Sequence, residues 1–143
     1  METKHILLVE DNPDDELLTL RAIKKAGLPI EVTVVRDGAA ALSVLESTTR
    51  ENLPDLLLLD LKLPKVNGLE VLRQMRAHDA TKVLPVVVFT SSNEEQDIKE
   101  TYALNGNSYI RKPVDFHQFS DAVLQICRYW LQLNIPSPTL PLI

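Results

Sequence analysis

An α/β fold, a parallel sheet wound with helices on both faces, is predicted by three observations. Short strand-like runs alternate with helix signals five times along the chain. Most of these runs are almost wholly apolar, as strands buried on both sides must be. The first, third and fourth runs also end in polar residues: Glu10 and Asp11 after HILLV, Asp60 after LLLL, and Thr90 after VVVF. Lys112 follows the fifth run. In a sheet of this kind ligands bind beyond the C-terminal strand ends, where the strand order reverses.

The elements follow in order. Residues 5–9 form strand one. Asn12-Pro13-Asp14-Asp15 starts a helix, with proline in the first turn and acids at its positive end. Leu17, Leu18, Ile23 and Ala26 give that helix an apolar face, and Gly27 stops it. Residues 30–35 alternate and are rich in β-branched side chains, which reads as strand two. Asp37-Gly38 is a turn, and a helix continues over 40–45. Residues 55–59 are strand three. Asn67-Gly68 precedes a helix that offers Leu69, Val71, Leu72 and Met75 to the core. Residues 85–89 are strand four. Ser92-Asn93-Glu94-Glu95 caps a helix to about residue 104, ended by Asn105-Gly106, and 108–110 is strand five.

The last helix is expected over 115–133. Phe116, Phe119, Val123, Ile126, Trp130 and Leu133 lie at three- and four-residue steps on one face, and Leu124, Cys127 and Leu131 form an adjacent stripe. The tail, 134–143, holds three prolines and cannot be helical. No repeat and no second or output domain is expected, so a signal would pass by protein contact.

A chain of 143 residues with 45% hydrophobic and 24% charged content reads as one soluble globular domain. Its net charge of −5 argues against nucleic acid or an anionic membrane as partner. The single cysteine, Cys127, excludes an internal disulfide framework and a multi-cysteine zinc site, and fits a cytoplasmic location. The N-terminus is neither signal peptide nor membrane span. His5, His78 and His117 have no metal spacing, and no glycine-rich phosphate loop suggests ATP binding.

A carboxylate at the end of a buried strand needs compensation. Three acids, one lysine and one hydroxyl at the same end of a sheet suggest a metal-assisted phosphoryl site with Asp60 as acceptor. The alternatives are that Asp60 caps a helix or sits in a solvated loop, that Glu10 and Asp11 are a solvated helix start, and that Thr90 is an ordinary strand residue. Asp14, Asp15 and Glu16 are read as such a solvated start, although Asp14 is close enough to perturb the site.

Taken together, residues 4–130 resemble the receiver domain of bacterial two-component response regulators. The likeness rests on the acidic pair, Asp60, Pro64 four residues later, a following glycine, Thr90 and Lys112-Pro113 in that order. EDNPDDELL and the ending RYWLQLN are similar to the small single-domain regulators paired with cyanobacterial phytochrome kinases. The resemblance implies a flavodoxin-like fold with strand order 2-1-3-4-5. It implies phosphoryl transfer from a sensor histidine kinase to Asp60, with Mg²⁺ held by Glu10, Asp11, Asp60 and the backbone carbonyl of Lys62. It also implies a phosphate-pairing Lys112, aimed inward by a cis bond to Pro113, and a switch pair of Thr90 and Tyr109. Lys62 and Ser92 take the positions that tune phosphoryl lifetime. No turnover of an external substrate is expected. The rival reading is a constitutive docking module with the same fold.

The apolar C-terminal end points to a homodimer through Phe119, Trp130, Leu131, Leu133 and Ile135, with Leu140, Leu142 and Ile143 from the tail. A tail folded back on its own domain is the alternative.

Overall fold

The run LLLL shows most directly how this sequence makes its fold. Successive side chains on a strand point to opposite faces. Four consecutive leucines therefore need apolar cover on both sides, and each is buried. A computed structural model describes residues 2–138 and gives these leucines that cover. Leu56 and Leu58 join one core with Ile6, Leu8, Val87 and Phe89. Leu57 and Leu59 join a second with Leu7, Val9, Val86 and Val88. The two cores lie on opposite faces of one sheet.

The sheet is formed by β1 (Lys4–Val9), β2 (Ile30–Val35), β3 (Leu56–Leu59), β4 (Val86–Thr90) and β5 (Ser108–Arg111), all parallel, in the order β2-β1-β3-β4-β5. This is the strand order that the resemblance implies. Helices α1 (Pro13–Lys25) and α5 (Phe116–Arg128) supply Ala22, Ile23, Phe119, Val123, Ile126 and Cys127 to the first core. Helices α2 (Gly38–Glu46) and α3 (Gly68–Arg76) supply Ala41, Leu45, Val71, Leu72 and Met75 to the second. Helix α4 (Glu95–Ala103) buries only Thr101. Leu17, expected on the inner face of α1, is 49% exposed. Among the described residues no helix is long and apolar enough to cross a membrane.

The last helix departs from its expected course. It is α-helical to Arg128 and then widens into a π-helical turn over Tyr129–Leu133, closed by the Asn134 amide on the Tyr129 carbonyl at 2.6 Å. A wider turn moves later residues around the axis. Leu131 swings into the first core, and Leu133 is left 71% exposed. Phe116, in the first turn of α5, is also in solvent. Two expected dimer residues are corrected here. Phe119 packs edge-on against Phe89 with ring centroids 5.1 Å apart, and Leu131 is buried, so the core of their own domain occupies both. Trp130 is half-buried, whereas Leu133 and Ile135 face solvent. Leu140, Leu142 and Ile143 lie outside the described residues.

Cys127 is buried in the first core, and burial pushes its thiol up to about 11. The thiolate is the reactive form. Cys127 in the folded protein is therefore expected to resist alkylation at pH 8 and to react at once in denaturant. Full labelling of native protein within minutes would contradict this.

Arg76 closes the opposite pole of the sheet from Asp60. Its guanidinium donates to the carbonyls of Thr81, Lys82, Leu84 and Asn105 and to the Asn107 side chain. Asn107 in turn accepts from the Val86 amide at 2.8 Å, so one residue ties α3 to the starts of β4 and β5.

Candidate functional site

Parallel pairing brings the C-terminal ends of β1, β3, β4 and β5 to one edge of the sheet. The Glu10 amide donates to Val35, the Asp60 amide to Val9 at 3.1 Å, and the Lys112 amide to Thr90 at 2.7 Å. Each residue thus continues its strand's hydrogen bonding by one step. That step matters for Lys112: strand alternation sends Arg111 outward and Lys112 inward. No described peptide bond is cis, so the cis Lys112-Pro113 bond implied by the resemblance is not present. The alternation aims the lysine without it.

Glu10 is 2% exposed, Asp60 6%, Lys112 7% and Thr90 0%. The Lys112 ammonium donates to Glu10 Oε1 at 2.5 Å, Asp60 Oδ2 at 2.9 Å and Asp15 Oδ2 at 2.9 Å. An ammonium has three donors, and a carboxylate meets each of them. Burial alone would lower the lysine, but the Asp60 charge and the bonds to Glu10 and Asp15 outweigh it, so Lys112 is held well above its ordinary value. Burial acts on Glu10 in the other sense and pushes its carboxyl up to about 7 against the pull of Lys112.

Carboxylate oxygens of Glu10, Asp11 and Asp60 lie within 4.8 Å of one another. Asp11 is exposed, so the cluster opens to solvent on one side. An all-oxygen, anionic donor set with an open side fits a hard divalent cation that keeps part of its water shell. Lys62 stands beside it, its amide 3.3 Å from Asp60 Oδ1 and its side chain in solvent.

Thr90 ends β4 with its hydroxyl accepting weakly from the Ser92 amide at 3.4 Å. Tyr109 is half-buried and donates its hydroxyl to the Ser92 carbonyl at 2.9 Å, and burial raises its phenol. The Ser92 hydroxyl donates to Asp97 at 2.5 Å and accepts from the Glu94 amide, which commits it to the start of α4.

Among the early acids only Asp14 is a solvated helix start, and it is exposed. The Glu16 side chain is 17% exposed and is engaged by Arg36 through paired bonds of 2.9 and 3.0 Å, so the solvated reading is corrected for it. Asp15 instead reaches Lys112, a contact missed in the sequence. The cap sets its place without naming its partner: Asn12 accepts from the amides of Asp14 and Asp15, which makes Asp15 the third helical residue. Helical side chains lean toward the N-terminus, and here that direction leads into the site.

Gly68, which opens α3, fixes the Asp60 loop from behind. Its amide donates to Leu61 at 2.8 Å, and an added Cβ would collide with the Asp60 carbonyl and come within 2.7 Å of Leu61 Cα. Backbone cannot swing aside as a side chain can. Gly68→Ala is expected to lose about 1–3 kcal/mol of stability, read from the urea midpoint. An unchanged midpoint would mean the loop yields freely.

Residues 6–124 match the response regulator receiver domain family. The chain belongs to that family. The receiver domain is 40% identical over 131 residues to the probable methanogenesis regulatory protein FilR2 of Methanothrix harundinacea, covering 90% of this chain and 84% of the relative. Its structure is similar to that of the phosphorylated cyanobacterial phytochrome response regulator RcpA, with TM-score 0.90 and 38% identity over 96% of this chain and all (100%) of the other. It is also similar to the Mn²⁺-bound form of response regulator Rcp1, with TM-score 0.87 and 35% identity over 94% and 99% of the two chains. Receiver domains are signalling proteins that take a phosphoryl group from sensor histidine kinases and bind a divalent cation in the acidic pocket. In this chain an acidic cluster of Glu10, Asp11 and Asp60 lies beside Lys112 at the C-terminal edge of the sheet.

Proposed function

We propose that the chain is a phosphoryl-controlled switch in which Asp60 accepts the group from a phosphohistidine of a sensor kinase. The observation that carries this is the Asp60 carboxylate itself, buried yet held between Lys112 and the acidic cluster. An Asp60 oxygen bonds to phosphorus as the phosphorus–nitrogen bond breaks, and the imidazole leaves with that electron pair. Lys112 and Thr90 then donate to phosphoryl oxygens. Glu10, Asp11 and Asp60, with the backbone carbonyl of Lys62, would hold Mg²⁺, whose charge offsets that of the group in transfer.

The acyl phosphate places close to two negative charges beside Thr90 in exchange for the one the Asp60 carboxylate carried. A Thr90 hydroxyl turned toward it gives up its contact with the Ser92 amide. Tyr109, bonded to the Ser92 carbonyl, feels that change. Of the two positions assigned to phosphoryl lifetime, Lys62 carries the role, because the Ser92 hydroxyl is already engaged by Asp97.

Likeness to a phytochrome response regulator supports a light-sensing kinase as donor, and the absence of a charge field suited to nucleic acid supports a protein as downstream target. Trp130, Leu133 and Ile135 remain as an apolar surface for a homodimer. The cytoplasm is the compartment in which such a kinase domain would meet it.

Incubation with acetyl phosphate is expected to add one phosphoryl group by intact mass with Mg²⁺ and none with EDTA. No adduct from acetyl phosphate or from a phosphorylated kinase would overturn the switch and favour a constitutive docking module. The dimer is checked by light scattering: a monomer at high concentration, phosphorylated or not, would refute it.

A further inference from the structure

Lys112 has a partner that the phosphoryl chemistry does not call for. Glu10 and Asp60 belong to the acidic cluster, and Asp15 stands outside it. A cation held by that cluster would draw on Glu10 and Asp60 and not on Asp15. Asp15 is also fixed from two sides. The Asn12 cap sets its backbone at 3.1 Å, and the positive end of α1 favours its charge. Its side chain is 25% exposed against 5% for Lys112, so the pair is partly wet and can open.

We propose that Asp15 is a positioning residue that retains Lys112 on the α1 side of the pocket, restraining it from the incoming phosphoryl group and lowering the pocket's affinity for anionic donors. The proposal rests on the phosphoryl reading above. Three carboxylates, Glu10, Asp15 and Asp60, meet the Lys112 ammonium, and Asp11 joins Glu10 and Asp60 in the acidic cluster beside it. An arriving anion must displace one of them from an N–H of Lys112. Asp15 is the competitor that remains when a cation has taken hold of the others, and its negative charge also opposes an anion directly. Removing it frees a donor and removes a like charge.

The test compares wild type, Asp15→Asn and Asp15→Glu in two states. With Mg²⁺, beryllofluoride serves as the phosphoryl mimic, and acetyl phosphate as the donor. Asp15→Asn is expected to bind beryllofluoride about fivefold more tightly, the effect of a partly exposed charge pair, and to lower the KM for acetyl phosphate in proportion. Asp15→Glu, which keeps the charge, is expected to restore weaker binding. Without metal, the ¹⁵N resonance of the Lys112 ammonium is expected to shift in Asp15→Asn. Unchanged or weaker beryllofluoride binding by Asp15→Asn overturns the proposal, and so does an unmoved Lys112 resonance. If wild type binds no beryllofluoride, the phosphoryl reading fails instead, and the resonance still decides whether Asp15 holds the lysine.

Discussion

Asp60→Asn is expected to take up no phosphoryl group from acetyl phosphate while keeping its fold. An amide oxygen is a poor nucleophile and cannot form the acyl phosphate. The mutant also loses one of the carboxylates of the acidic cluster, so its Mg²⁺ affinity falls as well. Removing one partner of a buried ion pair ordinarily destabilises, because the other charge is stranded. Here Lys112 keeps Glu10 at 2.5 Å and Asp15 at 2.9 Å, and the site sheds an excess negative charge. Stability should therefore change by no more than about 1 kcal/mol, the scale of one hydrogen bond. Intact mass and thermal unfolding check the two halves separately. An adduct on the variant at the same site would remove Asp60 from its role, and an unfolded variant would show that Asp60 is a structural ion-pair partner first.

Lys112→Met carries the larger effect on stability. It leaves Glu10, Asp15 and Asp60 facing one another with no cation between them. Loss of about 3–5 kcal/mol is expected in the absence of metal, as for a buried pair broken on one side. Mg²⁺ should return part of it, since a ligand bound to the folded form stabilises it by mass action. The deficit also depends on pH. Burial already raises Glu10 to about 7, and without Lys112 the carboxyl moves higher still. A carboxyl raised above its unfolded value stabilises most at low pH and loses that contribution as pH rises through the folded value. The variant should thus be weakest above neutrality and recover toward acid. Urea unfolding at several pH values, with and without Mg²⁺, reads this directly. Wild-type stability without metal would show that Lys112 does not neutralise the pocket.

The strands and their polar ends were legible because burial on both faces leaves a plain mark in sequence. A run such as LLLL can only be interior, and the residue that breaks it, Asp60, stands where the strand meets solvent. The order of four such breaks, with Pro64 and the glycine after it, then carried the resemblance. Asp15 was not legible, because an acid in the first turn of a helix is ordinary and its three-residue offset from Asn12 names no partner. The end of α5 was misread for a different cause. A constant 3.6-residue period does not hold through Tyr129–Leu133, where the π-helical turn breaks it and exchanges the places of Leu131 and Leu133. Arg76 gave no sign at all, since most of its partners are backbone carbonyls, and carbonyls are common to every residue.

That last cluster sets the two ends of the sheet apart in kind. The Asp60 pole is held by opposed ionic charges, so protons, salt and metal all act on it. The Arg76 pole is held by a guanidinium among neutral oxygens. Burial lowers this arginine somewhat, but an arginine stays charged at any pH where proteins fold, and carbonyls do not titrate. Among the described residues it has no counter-ion to be screened or protonated away. The molecule thus has a chemically deaf end and a listening one, and whatever reaches the carboxylates is heard against a base that does not respond.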